Sequence, residues 1–83
     1  MVNNKILANV LSGNKDSNIR FTDLCKLLGQ LGFARRVKGD HFIYAKQDIP
    51  DILNIQPNGN KAKAYQVKQV RLIINRYNLT GGV

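Results

Sequence analysis

The chain has no glutamate, one histidine and one cysteine. Each scarcity excludes something. A single cysteine, Cys25, permits neither an internal disulfide nor a cysteine-rich zinc site. A single histidine, His41, with scattered aspartates does not supply the three protein ligands of a catalytic zinc. The only neighbouring acids, Asp48 and Asp51, flank a proline, which is a weak basis for a two-metal carboxylate site. Glycine-rich phosphate loops, a Ser-His-Asp order and a Cys-His arrangement are all missing. No apolar run approaches a membrane span, and nothing reads as a signal peptide. The expectation is a cytoplasmic protein with no membrane partner, no metal and no cofactor.

What is present is positive charge. Thirteen Lys and Arg against five Asp give a formal charge of +8 in 83 residues. Eighty-three residues make one domain, 1–83, with a small core and no room for a large enclosed site. So strong an imbalance repels itself in a compact state, so it points to a polyanionic partner, nucleic acid first.

Val2, Ile6, Leu7, Val10 and Leu11 predict a short N-terminal helix within residues 1–13, capped by Asn3 or Asn4 and stopped at Ser12-Gly13. Gly13 to Asn18 has loop composition. Leu24, Leu27, Leu28 and Leu31 fall at i, i+3, i+4 and i+7, the stripe of a second helix. Thr22 or Asp23 is its expected cap, and Gly32 its left-handed C-terminal residue. Cys25 borders the stripe and reads as a small buried hydrophobe.

Phe33 to Lys46 then reads as a hairpin closed by Gly39-Asp40. A two-residue loop places Lys38 opposite His41 and Arg36 opposite Ile43. His41, Ile43 and Ala45 share one face; Phe42, Tyr44 and Lys46 share the other. Both faces carry apolar residues, so either could meet the helices. Gln47 to Asp51 reads as a proline-containing connection, Ile52 to Gln56 as a third strand, and Pro57-Asn58-Gly59-Asn60 as a loop followed by Lys61 and Lys63. A last helix spans roughly Ala64 to Tyr77. Val67, Val70, Ile73, Ile74 and Tyr77 form its buried side, and Lys68, Arg71 and Asn75 its exposed one. Gly81-Gly82-Val83 reads as a frayed end. The expected class is α+β: a three-stranded antiparallel sheet with helices on one face, plus an extra N-terminal helix. Its αβββα core has the order of double-stranded-RNA-binding domains.

A lone histidine among cations fits one chemistry without metal or protein nucleophile. RNA carries its own nucleophile, the ribose 2′-hydroxyl. A general base contributes on the order of a hundredfold to ten-thousandfold, and cations stabilise charge on phosphorus. In that role His41 acts as base, acid or both. Arg36, Lys38, Lys46, Lys61 and Lys63, with Lys68 and Arg71 on the last helix, are the candidate phosphate ligands. Adjacent strand residues point to opposite faces, so Asp40 and His41 are not expected to form a dyad. The residues equally suit a non-catalytic double-stranded-RNA-binding module. A basic face meeting an acidic protein is a third reading.

One family pattern matches at this point. Leu24-Cys-Lys-Leu-Leu-Gly-Gln-Leu-Gly-Phe33, then Arg36, then Gly39-Asp40-His41-Phe42-Ile43-Tyr44, resembles the HicA family of bacterial toxins. Ile55-Gln56-Pro57 and the Tyr65-to-Tyr77 helix stand where that family has its later strand and closing helix, so the resemblance covers about residues 20–79. It implies an mRNA interferase with a double-stranded-RNA-binding-domain-like fold, an endoribonuclease toxin of a toxin–antitoxin system. It implies His41 as the catalytic residue, Gly39 as the turn glycine, and a cognate HicB-type antitoxin that occludes the same face. Two positions depart from the family: Asp40 replaces the common serine, and Phe42 replaces a second histidine.

Overall fold

The computed structural model describes residues 4–80. Val2, Asn3 and Gly81 to Val83, read above as helix start, cap and frayed end, lie outside them. The order is α1 (Asn4–Ser12), a 3-10 turn (Asp16–Asn18), α2 (Phe21–Gln30), β1 (Ala34–Lys38), β2 (His41–Lys46), β3 (Ile49–Ile55), β4 (Pro57–Asn58), β5 (Lys61–Ala62) and α3 (Ala64–Arg76). β1, β2 and β3 form an antiparallel meander; β4 and β5 form a separate two-stranded ladder. This is an α+β fold with an αβββα core and an added N-terminal helix.

The leucine stripe of α2 is buried throughout: Leu24, Leu27 and Leu28 are fully covered, and Leu31 nearly so. The helix starts at Phe21, ahead of both expected caps, with extended Arg20 in the cap position. The reason is backbone pairing. Arg20 bridges Lys61, and the Phe21 N–H donates to the Asn60 carbonyl at 3.0 Å. That first orphan amide therefore needs no side-chain cap. At the other end Gly32 takes φ 96°, as expected. Its N–H reaches the Gly29 carbonyl and that of Phe33 reaches Leu28, a complete Schellman motif. α3 ends the same way, with Asn78 at φ 50° in the glycine's place.

The hairpin has the expected register: Lys38 pairs with His41, Arg36 with Ile43, and Val37 with Phe42. Gly39 carries the turn at φ 63°, in the first position of the loop. The structure settles the choice of faces. Tyr44, Leu53 and Ile55 point inward onto α2 and α3, and Phe42 packs edge-on to Phe21. His41, Ile43 and Ala45 lie on the uncovered face.

Three local expectations are corrected. The third strand begins at Ile49, not Ile52. The connection is the tight Gln47-Asp48 turn, with Asp48 at φ 76°. Pro50 is compatible with the strand because β3 is an edge strand, where a missing donor costs no ladder bond. The Pro57-to-Asn60 loop, with Lys61 after it, is a miniature hairpin. The stretch after Gly13 contains the 3-10 turn at Asp16.

Two side chains lock α3 in place. Gln66 is 2 % exposed. Its amide oxygen accepts the Gln56 backbone N–H at 3.1 Å, and its amide nitrogen donates to the Asn54 carbonyl at 3.3 Å. It takes the two backbone groups that another strand would take. Arg71 is the second. The expectation that it joins an exposed basic stripe fails: its side chain is 17 % exposed and holds both oxygens of Asp16. It also donates to the Val10 carbonyl at 3.1 Å, covering the C-terminal end of α1. No helix among the described residues is long and apolar enough to cross a membrane.

Candidate active site

His41 opens β2 immediately after the turn, with its side chain 47 % exposed. Its two ring nitrogens have different neighbours, both supplied by β3 and the residue that follows it. Nδ1 lies 3.1 Å from Asn54 Oδ1. Nε2 lies 3.3 Å from Gln56 Nε2. The Gln56 amide is held at both ends: Nε2 donates to Asp40 Oδ2 and Oε1 accepts from Lys63 Nζ, each at 3.3 Å. Asp40 Oδ1 is 3.8 Å from His41 Nε2. Contrary to expectation, then, Asp40 does approach the imidazole. It belongs to the turn rather than the strand, so strand alternation does not govern its direction.

Cations frame this group unevenly. Lys38 is the cross-strand partner of His41, and Arg36 lies two positions along on the same face. Both are exposed. Lys63 enters through Gln56. A shallow hollow of about 290 Å³ lies farther along the face, lined by Ala34, Arg36, Ile43, Ala45 and Ile52. Gly39 and Asp40 form the turn that presents the ring.

Other predicted phosphate ligands lie elsewhere. Lys46 stands at the far end of β2, five residues or ~17 Å along the strand from His41. Its ammonium lies against Gly32. Lys61 donates to Asn18 Oδ1 at 2.7 Å, beside a separate cavity lined by Ile6, Asn9 and Arg20. Lys68 is exposed on α3. The Arg71 guanidinium holds the Asp16 carboxyl below the usual range, and Asp16 in turn raises Arg71. Arg71 thus serves a structural ion pair, not a free phosphate site.

Asn54 and Gln56 are the residues sequence reasoning missed. A signal was available: two polar side chains, two apart, where Leu53 and Ile55 face the core. In the observed register Asn54 lies opposite Ile43, two residues from His41 on the same face, but it is reached only past an irregularity between Tyr44 and Lys46 that shifts the pairing.

Two inward groups lie apart from the site. The Tyr44 hydroxyl is buried and makes no well-formed hydrogen bond among the described residues, although the Cys25 thiol and the Arg35 guanidinium lie beside it. Burial, with the neighbouring Cys25 thiol adding to it, pushes this phenol up to about 12. Cys25 is only partly buried, not the fully covered hydrophobe expected, because it packs at the margin of the core; that partial burial raises its thiol, which makes it a poor nucleophile. Among the described residues, no group of three or more His, Cys, Asp or Glu side chains converges. No protein-family model matches the chain, and no curated protein or solved structure matches it.

Proposed function

We propose that the chain is an endoribonuclease of HicA type, an mRNA interferase of a toxin–antitoxin system, with His41 as its catalytic residue. One observation carries the reading: an imidazole whose Nε2 faces an amide N–H, on an open sheet face bordered by Lys38 and Arg36. A donor opposite Nε2 implies a lone pair there, which is what a base needs. In the reaction, Nε2 takes the proton of a ribose 2′-hydroxyl and that oxygen attacks the adjacent phosphorus. The bond to the 5′-oxygen breaks, this oxygen takes a proton from solvent water, and the imidazolium returns its own proton to solvent. Lys38 and Arg36 stabilise the added negative charge. The product ends are a 2′,3′-cyclic phosphate and a 5′-hydroxyl, and no metal enters. The substrate would be cytoplasmic mRNA, and a HicB-type antitoxin would bind over the same face.

The test is cleavage of end-labelled RNA in the presence of a chelator. Wild type should cut, and His41→Ala should lose at least a hundredfold in rate while its RNA affinity stays within about twofold. A wild type that binds RNA without cutting it leaves the non-catalytic RNA-binding module. Undiminished cutting by His41→Ala would remove the histidine from the mechanism.

A further inference from the structure

The single imidazole is specified more tightly than general base catalysis alone requires. Gln56 can be oriented in only one way. Lys63 has donors and no acceptor, so it must face the amide oxygen. Asp40 as a carboxylate has acceptors and no donor, so it must face the amide nitrogen. Reversing the amide would set N–H against ammonium and oxygen against carboxylate. The nitrogen so placed presents its other hydrogen to His41 Nε2 at 3.3 Å. Nε2 must accept, which leaves the ring proton on Nδ1. Asn54 Oδ1, at 3.1 Å, is the matching acceptor. Each partner agrees with the next along the whole series from Lys63 to Asn54.

We propose that Asn54 and Gln56 are positioning residues that hold His41 as the Nδ1–H tautomer, with the Nε2 lone pair directed at the place the 2′-hydroxyl will occupy. The effect on rate rests on the nuclease reading above; the tautomer does not. Free histidine in water favours the opposite tautomer, so the protein has to impose this one. Asn54 does so by accepting from Nδ1, and Gln56 by setting a donor as the nearest group to Nε2, at 3.3 Å, while the Asp40 carboxylate oxygen stands at 3.8 Å, beyond hydrogen-bond distance. An arriving hydroxyl takes over the place of the Gln56 N–H, a long and easily exchanged hydrogen bond. Lys63 and Asp40 act one step further out, through Gln56.

Because the chain has one histidine, nitrogen-15 spectra of the ring need no residue assignment, and couplings to the two ring C–H protons tell Nδ1 from Nε2. On the full chain, above the titration of the ring, wild type should show a pyrrole-type Nδ1 and a pyridine-type Nε2. Asn54→Leu should move both resonances toward the opposite tautomer, and Asn54→Asp, which keeps an acceptor, should restore them. Gln56→Glu places an acceptor against Nε2 and should shift the proton there. With RNA, Asn54→Leu should lower kcat on the order of tenfold to a hundredfold with KM nearly unchanged. A wild-type ring protonated on Nε2, or ring resonances unmoved in Asn54→Leu and Gln56→Glu, overturns the proposal. If those resonances move as expected while wild type never cuts RNA, the positioning role stands and the nuclease reading falls.

Discussion

Arg71 holds Asp16 through two hydrogen bonds of 2.8 and 3.0 Å across a separation of 55 residues. A two-pronged, mostly covered pair of this kind exceeds an ordinary surface ion pair. Arg71→Ala should cost roughly 1–3 kcal/mol in denaturant unfolding, since it also uncovers the Val10 carbonyl. The pH dependence has a definite sign. The Asp16 carboxyl is lowered in the folded state, so its contribution is complete above the unfolded carboxylate pKa of about 3.9. It is lost as pH falls through the lower folded value. Wild type should therefore lose more stability than Arg71→Ala on acidification below about pH 4. Equal losses would show that the pair does not hold in solution.

The Tyr44 hydroxyl lies in the core and makes no well-formed hydrogen bond among the described residues, with only the Cys25 thiol and the Arg35 guanidinium beside it, so little offsets its desolvation cost. Tyr44→Phe should leave stability unchanged or raise it by up to about 1 kcal/mol, against the usual loss on altering a buried residue. The phenol is raised in the folded state, so its contribution to stability is complete below the unfolded pKa of about 10. It disappears between there and about 12. Absorbance titration at alkaline pH should find one of the three tyrosines ionising late or only on unfolding. A loss of 2 kcal/mol or more in Tyr44→Phe would reveal a partner for that hydroxyl.

Two glycines with open space around them should respond oppositely to alanine. Gly29 is helical and exposed, with no atom within 4 Å of an added Cβ. Gly29→Ala should stabilise by about 0.5–1 kcal/mol. Gly39 is equally unobstructed but sits at φ 63°. Gly39→Ala should destabilise by roughly 1 kcal/mol and weaken the turn that presents His41. Thermal melts of the two variants decide this, and shifts in the same direction would contradict it.

Lys63 and Lys68 are both basic residues near or on α3, yet only Lys63 touches the His41 network. Lys63→Met should reduce RNA cleavage by about tenfold, because it frees the Gln56 amide as well as removing a charge. Lys68→Met should lower RNA affinity only two- to threefold, without changing where the chain is cut, and reduce the salt slope by about one. Equal effects on kcat would argue that Lys63 supplies charge alone.

Local signals made the hairpin and the second helix readable. Gly39-Asp40 defined the loop, two residues of loop defined the register, and the four leucines of α2 defined its buried side. Long-range partners were not readable in the same way. Arg71 has the spacing of a solvated helix face, and only the placement of the 3-10 turn beside α3 gives it Asp16. Pro50 reads as a loop residue until β3 is known to lie at an edge. Which hairpin face is buried follows from where α2 and α3 dock, and both faces had apolar candidates. His41 was legible as a candidate by its rarity. Asn54 and Gln56 were not, because their roles depend on a strand pairing with an irregularity between Tyr44 and Lys46.

The side-chain amide of Gln66 imitates a peptide group, and it grips the strand at the very residues whose side chains steer the imidazole. The chemistry proposed at the turn would thereby be tethered to the seating of a helix on the opposite side of the sheet. Warming that unseats the helix by a fraction of a turn would release Asn54 and Gln56 while the hairpin itself stays zipped. Inactivation would then come before melting, and a repacked interior residue of α3 would silence the histidine without coming near it.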